Sequence, residues 1–382
     1  MRYYIIAGEA SGDLHGSNLI RELLKLDSSI NIRCWGGDMM KEAGAELVKH
    51  YRELAFMGFI EVIANLPAIL KNLSWCKADI ESYKPDALIL IDYPGFNLRI
   101  AKWAKEKGIS TIYYISPQVW AWKEGRVKSI RKVVDKMLVI LPFEKNFYKK
   151  WDYDVEYVGH PLVQVVDDAN KEFFINPPAS GSPLNEKNIV AILPGSRKQE
   201  IAKKLPVMLE VSSKFPEYRF VLAKSNSIED EFYNSFLDKY KTVRSIRNKT
   251  YPLLIQSKAA LVTSGTATLE TALFGVPQVV CYKGSAISYQ IARRLIKVKF
   301  ISLVNLIMDR EVVKELIQNE FTVENVSREL NRILKDPESV SSIKRDYDEL
   351  MQKLKTGGNA SEKAARSIQD FVLRPNARSV SR

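Results

Sequence analysis

Three neighbouring residues, Gly195, Ser196 and Arg197, have the types and the order of a phosphate-binding loop. They follow the apolar residues 189–193, which predict a buried strand, and they precede a predicted helix. In such a loop the backbone N–H groups and the helix N-terminus face an anion, and a guanidinium adds a fixed fork of donors. We therefore predict a diphosphate site at residues 195–197.

A second segment repeats this order after the apolar residues 259–262. It contains Gly265 and Thr266, and it places Glu270 about a turn and a half into a predicted helix. A carboxylate beside a diphosphate would be repelled, so we expect Glu270 to hold sugar hydroxyls. The two segments together predict a site for a nucleoside diphosphate with its ribose. The alternative is a pair of ordinary glycine-containing turns between strands and helices.

The composition is that of a globular protein with anionic partners. Hydrophobic residues make up 46% and charged residues 27% of the 382 positions, a length that favours two α/β domains. The formal net charge of +12 favours nucleic acid, acidic lipid or phosphorylated metabolites as partners. Much of the excess lies in residues 123–150, which hold nine Lys or Arg against three acids.

The sequence disfavours several other sites and locations. The three cysteines lie far apart, which is typical of a reducing compartment and gives no metal spacing. Of two Asp-x-Asp sequences, residues 152–154 adjoin two lysines and residues 346–348 lie in a helical pattern, where i and i+2 point apart. We therefore predict no metal and no cofactor; residues 8–12 also lack the G-x-G-x-x-G spacing of nicotinamide sites. Without a signal sequence or a long apolar run, we expect a cytoplasmic location.

Short apolar runs alternate with helical patterns along the chain, which predicts parallel sheets built from βαβ units. The predicted strands are 3–7, 87–91, 110–115, 137–141 and 155–158 in the first half of the chain, and 189–193, 219–223, 259–263 and 278–282 in the second. We predict an α/β protein with two Rossmann-like, doubly wound domains that face a central cleft, where open α/β sheets bind ligands. The expected boundaries are a first domain at 1–165, a linker at 166–187, a second domain at 188–345, and C-terminal helices with a tail at 346–382. The linker is inferred from the Pro- and Ser-rich residues 176–183.

Several motifs together resemble those of the lipid-A-disaccharide synthase family, over residues 3 to about 320. They are GEASGD at 8–13, MGFIEV at 57–62, IDYPGFN at 91–97, SPQVWAW at 116–122, LPFE at 141–144 and VGHP at 158–161. The resemblance implies an inverting, metal-independent glycosyltransferase of the GT-B fold, whose C-terminal helices can cross back to the first domain. Its implied substrates are UDP-2,3-diacylglucosamine and 2,3-diacylglucosamine 1-phosphate. They form a β-1,6 disaccharide and UDP at the cytoplasmic face of the inner membrane.

The resemblance also implies roles for particular residues. Asp92, at the carboxyl end of a predicted strand, resembles the family's general base; without the resemblance, an aspartate that enters a helix is the favoured interpretation. Glu9, Ser11 and Asp13 are expected to face the acceptor, although Ser11 or Asp13 could equally cap the first helix. Asn305 is expected to line the UDP site. The sequence has Gly95 where the family often has aspartate. No role is assigned to His15 or His160, for which packing is an equal alternative.

Both implied substrates carry acyl chains, so we expect contact with an anionic membrane surface. The expected contacts are Phe59, Ile60 and Ile63, in the apolar segment 56–75, and Trp120 and Trp122, beside the basic segment 123–150. The alternative for residues 56–75 is a core helix. No nucleic-acid partner is expected, and a homodimer stays open. The competing functions are a UDP-sugar 2-epimerase on the same fold and a non-enzymatic basic binding module.

Overall fold

The computed structural model describes residues 1–54, 66–178, 182–285, 289 and 298–374. The chain divides into two compact units, one formed by Met1–Pro161 with Leu354–Arg382 and the other by Leu162–Lys353. Each unit contains a parallel sheet whose strands alternate with helices. The predicted fold class, two doubly wound α/β domains, is therefore confirmed. None of the described helices is both long and apolar enough to cross a membrane.

The first unit is built on a sheet with the strand order β3-β2-β1-β4-β5-β6-β7. Its strands are β1 (Arg2–Ala7), β2 (Asn31–Gly36), β3 (Glu46–His50), β4 (Ala87–Ile91), β5 (Thr111–Tyr114), β6 (Lys136–Val139) and β7 (Glu156–Tyr157). Its helices up to Pro161 are α1 (Ala10–Leu26), α2 (Asp38–Glu42), α3 (Leu66–Tyr83), α4 (Pro94–Glu106), α5 (Val119–Trp122), α6 (Val127–Val133) and α7 (Glu144–Lys149). The order reverses between β1 and β4, so a ligand crevice is expected at the carboxyl ends of these two strands.

The second unit has the strand order β10-β9-β8-β11-β12-β13, which reverses between β8 and β11. Its strands are β8 (Ile189–Leu193), β9 (Arg219–Lys224), β10 (Arg244–Arg247), β11 (Ser257–Thr263), β12 (Gln278–Tyr282) and β13 (Lys314–Ile317). Its helices are α8 (Leu162–Ile175), α9 (Lys198–Ser212), α10 (Asp230–Leu237), α11 (Thr250–Gln256), α12 (Thr266–Leu273), α13 (Leu303–Met308), α14 (Val323–Lys335) and α15 (Pro337–Lys355). β8 is buried along its whole length, as expected for a central parallel strand.

The last helix, α16 (Ala360–Leu373), belongs to the first unit and packs on α1. It buries Ala364, Ala365 and Ile368. The chain approaches this helix through Gly357, where an added Cβ would lie 2.1 Å from the Cα of Gly159. Only glycine permits so close a backbone approach. The C-terminal helix thus crosses back to the first domain.

The boundary between the units differs from the predicted linker at 166–187. Much of that segment is helical, because α8 runs from Leu162 to Ile175 and buries Leu162, Val163, Val165 and Val166. This helix packs on α11 and α12 of the second unit. The Pro- and Ser-rich composition that suggested a linker begins only at Asn176. The division between the units therefore falls at Pro161 and Leu162.

Candidate active site

Asp92 follows β4 directly and lies at the crevice of the first unit. Asp92 and Tyr93 both have left-handed backbones, with φ of 44° and 47°, a conformation that non-glycine residues adopt at some cost. Two buried side chains hold this turn: Asn97 Nδ2 and the Tyr113 hydroxyl donate to the Asp92 carbonyl oxygen at 2.8 and 2.5 Å. The backbone that carries the carboxyl group is therefore fixed from both sides.

The surroundings of Asp92 suit a proton acceptor at neutral pH. The pKa of Asp92 is raised to about 7, mainly by burial and also by the nearby charges of Glu9 and Glu144, while a hydrogen bond from the Tyr93 backbone opposes these effects. Glu9 follows β1, the strand that pairs with β4. A general base is most effective when its pKa lies near the working pH. The crevice thus brings together two of the predicted site residues, Asp92 and Glu9.

Gly8 is required for the position of Tyr93 in this turn. A Cβ added at Gly8 would lie 2.3 Å from Cδ1 of the Tyr93 ring. We expect Gly8→Ala to displace the ring, disturb the Asp92 turn and lower both activity and melting temperature, as measured by UDP release and thermal unfolding. Gly95→Ala is the matched control, since a Cβ there meets no described atom within 4 Å. Equal behaviour of the two variants would contradict this role of Gly8.

Ser11 and Asp13 differ in what they offer a ligand. Ser11 is exposed in the first turn of α1. Asp13 is buried, and its carboxylate accepts hydrogen bonds from the backbone nitrogens of Gly37, Met39 and Met40 at 2.8, 3.3 and 3.0 Å. These groups form the N-terminus of α2, so Asp13 caps α2 from the side of α1. This favours a structural role for Asp13 over the expected acceptor contact.

Two further motifs meet at Glu144, which the sequence analysis did not single out. Its carboxylate accepts hydrogen bonds from the Ser116 hydroxyl and from the backbone nitrogens of Leu141 and Ile140. Burial nevertheless raises the pKa of Glu144 to about 7. Its charge is one of the causes that raise the pKa of Asp92. The signal in the sequence was the family motif at 141–144, whose last residue is this glutamate.

The two tryptophans of the family motif have different environments. Trp120 is only 7% exposed and packs edge-on against Phe143, with ring centroids 5.0 Å apart. Trp122 is 44% exposed, with the Lys123 ammonium 4.4 Å and the Arg126 guanidinium 5.4 Å from its ring centroid. Burial therefore leaves little of the Trp120 ring for the expected membrane contact. Trp122 stays a candidate.

His15 and His160 are both buried in the first unit. Burial lowers the pKa of His15 to about 4 and that of His160 to about 3, and the two rings lie near enough that His15 contributes to the shift of His160. Both imidazoles are therefore neutral at pH 7. A neutral buried pair of this kind is suited to packing.

In the second unit, both glycine-containing segments lie at the carboxyl ends of two neighbouring strands, β8 and β11. Leu193 of β8 pairs with Val262 of β11, so the loops that follow these strands are neighbours. Gly195 and Gly265 have φ of 107° and 135°, in the left-handed region that favours glycine. Arg197 and Gly265 occupy the N-cap positions of α9 and α12. The structure thus places two helix N-termini side by side, as an anion site requires.

Polar side chains of these two loops are exposed, and one of them forms an ion pair. Ser196, Arg197 and Thr266 are exposed. An ion pair of 3.1 Å joins the Arg197 guanidinium to Glu200.

Glu270 lies in α12 and accepts a hydrogen bond from the Tyr251 hydroxyl at 3.1 Å. Burial raises the pKa of the Glu270 carboxyl group. Tyr251 was missed, because nothing in its local sequence points to α12.

Asn305 does not offer a side chain to a nucleotide. It is fully buried, and its Nδ2 donates to the Val313 carbonyl and to Glu315, each at 2.9 Å. Its Oδ1 accepts from the backbone nitrogens of Val312 and Val313. Both hydrogens and both lone pairs are thus engaged in joining α13 to β13. The expected UDP contact of Asn305 is therefore replaced by a structural role.

Other predicted groups fall outside these two crevices. Among the described residues, no group of three or more His, Cys, Asp or Glu is placed to hold a metal ion. Asp346, from one of the two Asp-x-Asp sequences, pairs with Arg310 at 2.7 Å. Phe59, Ile60 and Ile63 lie outside the described residues. In α3, the C-terminal part of the same apolar segment exposes Leu70 and Trp75 while Leu73 is buried.

Comparison with known proteins matches residues 3–369 to the model of one family, described as lipid-A-disaccharide synthetase. The chain belongs to this family. Among its relatives are the lipid-A-disaccharide synthases of Geobacter metallireducens, 40% identical over 97% of both chains, and of Syntrophus aciditrophicus, 41% identical over 94% of this chain and 95% of the other. The chain is thus a glycosyltransferase of lipid A biosynthesis.

Similar solved structures share the fold at low sequence identity. A UDP-GlcNAc 2-epimerase from Neisseria meningitidis bound to UDP-GlcNAc matches with a TM-score of 0.69 and 14% identity, over 98% of this chain and 100% of the other. The glycotransferase of kitacinnamycin matches with a TM-score of 0.64 and 14% identity, over 97% and 98%. At this identity the likeness shows the fold alone. Family membership, rather than fold, therefore separates a transferase from an epimerase here.

Proposed function

We propose that this glycosyltransferase moves 2,3-diacylglucosamine from UDP-2,3-diacylglucosamine to the 6-hydroxyl of 2,3-diacylglucosamine 1-phosphate, with inversion and without metal. The observation that carries the proposal is the position of Asp92, in a turn held by Asn97 and Tyr113 at the crevice of the first unit, where burial raises its pKa to about 7. A hydroxyl nucleophile needs one proton acceptor whose pKa lies near the working pH, and Asp92 meets this requirement. The lipid substrates are those that the resemblance to the lipid-A-disaccharide synthase family implies.

In the proposed reaction, the acceptor oxygen forms a bond to the anomeric carbon as the bond to the β-phosphate oxygen breaks. The hydroxyl proton passes to the Asp92 carboxylate, and the electron pair of the broken bond leaves with UDP. The charge that develops on the β-phosphate is stabilised by the N-termini of α9 and α12 and by Arg197. Since these groups are donors and cations, they replace the role that a metal ion has in other glycosyltransferases.

The nucleotide is proposed to bind with its diphosphate at Gly195, Ser196, Arg197, Gly265 and Thr266. The Glu270 carboxylate then accepts hydrogen bonds from the ribose hydroxyls. Its hydrogen bond to Tyr251 supports this assignment, because it fixes the orientation of the carboxylate before the ligand binds. On the acceptor side, Glu9 and Ser11 are proposed to contact the sugar, and Asp13 supports them by holding α1 and α2 together.

Product analysis tests the proposed reaction. The purified chain is incubated with both lipids, and the products are examined by mass spectrometry and by NMR of the anomeric carbon. We expect one β-linked disaccharide 1-phosphate for each UDP released. An epimerase would instead change the UDP-sugar when the acceptor is left out, and that outcome would overturn the proposed transfer.

We further propose that the enzyme associates peripherally with the anionic, cytoplasmic face of the inner membrane. Trp122 with Lys123 and Arg126 forms an exposed aromatic and basic cluster, and Leu70 and Trp75 add exposed apolar area on α3. An exposed ring suits the headgroup level, and each nearby cation adds about 1 kcal/mol on an anionic bilayer. Phe59, Ile60 and Ile63, which lie outside the described residues, stay proposed as membrane contacts.

The membrane proposal predicts a loss of vesicle binding when the cluster is neutralised. We expect the triple change Trp122→Ser, Lys123→Gln and Arg126→Gln to weaken co-sedimentation with phosphatidylglycerol vesicles by about tenfold or more, since roughly 2 kcal/mol of attraction to the surface is removed. The control is Lys239→Gln with Lys241→Gln, two exposed charges of the second unit. An equal loss in both variants would contradict a specific role for the cluster.

A further inference from the structure

Lys204 is a buried lysine beneath the proposed diphosphate loop. It lies in α9 and is 1% exposed. Its ammonium donates to the hydroxyl of Thr263, the last residue of β11. A Cβ built on Gly195 would lie 3.8 Å from the Lys204 Nζ, so the ammonium is next to the turn after β8. The Lys204 side chain thus lies next to both loops of the proposed nucleotide site, the one after β8 and the one after β11.

The charge of Lys204 is only partly compensated by its surroundings. The nearest carboxylate, Glu200, is 3.6 Å away, 41% exposed, and shared with Arg197. Burial lowers the pKa of Lys204, the charge of Arg197 lowers it too, and Glu200 opposes both. Burying an ammonium with one long, exposed ion pair is unfavourable, and an apolar side chain of similar volume would suit the fold better. The position therefore suggests a use for the charge in function.

An anionic ligand at this crevice would supply the missing compensation. The two helix N-termini above Lys204 already favour negative charge, and the ammonium adds a full positive charge in surroundings from which water is largely excluded. Such a charge stabilises a diphosphate more than a neutral nucleoside. It also stabilises the leaving UDP, which gains charge as its bond to the sugar breaks, more than the bound UDP-sugar.

We propose that Lys204 is a positioning residue for the leaving nucleotide. It holds Thr263 and the Gly195 loop in place for the diphosphate and puts its charge beneath the phosphate that departs. This inference rests on the proposed nucleotide site and adds a residue to it. Nothing in the sequence distinguishes Lys204 from the other two lysines of α9.

The test compares Lys204→Met with Lys203→Met, a change to an exposed lysine on the same helix. Affinities for UDP and for uridine are measured by titration calorimetry, together with kcat and KM for transfer. We expect Lys204→Met to weaken UDP binding by about tenfold or more, in line with loss of one charge-assisted contact. In Lys204→Met, uridine affinity should stay within about twofold of wild type, and kcat should fall by a larger factor than KM rises. Lys203→Met should behave as wild type.

The outcomes separate this inference from the nucleotide site itself. If Lys204→Met folds and binds UDP as wild type does, or loses UDP and uridine equally, the inference is overturned. If Lys204→Met does not fold, Lys204→Gln, which keeps a hydrogen-bond donor without the charge, gives the same comparison. A merely structural role would lower the melting temperature and leave the ratio of UDP to uridine affinity unchanged. If Arg197→Ala also binds UDP normally, the nucleotide site is wrong as a whole.

Discussion

Asp92→Asn is expected to lower the rate of transfer by about two to four orders of magnitude, the usual contribution of a general base. Asparagine keeps the size of the side chain and can remain in the turn held by Asn97 and Tyr113, but it cannot accept the hydroxyl proton. UDP affinity should stay unchanged, because the residues proposed to bind the nucleotide belong to the other unit. The measurement is steady-state transfer with both lipids, alongside titration with UDP.

Stability provides the control for this variant. Since burial raises the pKa of Asp92 above that of an unfolded chain, its ionised form weakens the fold at pH 8, and the neutral amide removes this effect. The melting temperature of Asp92→Asn at pH 8 should therefore equal or exceed that of wild type. Asp154→Asn, at an exposed carboxylate of the same unit, should change neither the rate of transfer nor the melting temperature. Transfer by Asp92→Asn within tenfold of wild type would show that another group is the base.

Arg197→Ala is expected to weaken binding of UDP and of the UDP-sugar by about 10- to 100-fold. Hydrogen bonds from a guanidinium to a phosphate are worth roughly 1.5–3 kcal/mol, and alanine removes them while leaving the backbone of the loop. Because the same contacts stabilise the leaving UDP, kcat should fall as well. Calorimetric titration with UDP measures the first effect, and transfer kinetics measure the second.

The matched control for Arg197 is its neighbour in the chain. Lys198 is exposed, and its ammonium forms an ion pair with Glu229. Lys198→Ala removes one positive charge, as Arg197→Ala does, and should leave UDP affinity within about twofold of wild type. If both variants lost affinity equally, general charge rather than the Arg197 fork would account for binding.

Most inner strands of both sheets could be predicted from the sequence, whereas three of the four edge strands could not. The strands at 87–91, 189–193 and 278–282 were predicted with the bounds that the structure has, because strands covered on both faces are continuous apolar runs. β3, β10 and β13 were missed, since strands at the edges of a sheet mix charged and apolar residues. β2 was missed because Arg33 interrupts its apolar pattern.

The loops of the candidate site were predictable because their residues follow recognisable strands. The roles of polar residues whose hydrogen-bond partners lie far away in the sequence could not be predicted. Asp13 is committed to backbone groups 24 to 27 positions away, and Asn305 to a strand that the sequence did not reveal. The sequence suggested a membrane contact for Trp120, because it does not show whether a tryptophan is exposed or buried. In the structure the ring packs on Phe143. Motifs and composition indicate which residues could form a site. Tertiary contacts determine whether each side chain is available to a ligand or held within the fold.

Release of UDP from UDP-2,3-diacylglucosamine tests whether Asp92 is the base of a metal-independent transfer. It is measured in detergent with EDTA, with and without 2,3-diacylglucosamine 1-phosphate, for wild type and Asp92→Asn side by side. We expect release that depends on the acceptor, survives EDTA and is nearly lost in the variant. Release that needs no acceptor, stops in EDTA or continues in Asp92→Asn would contradict metal-independent transfer with Asp92 as the base.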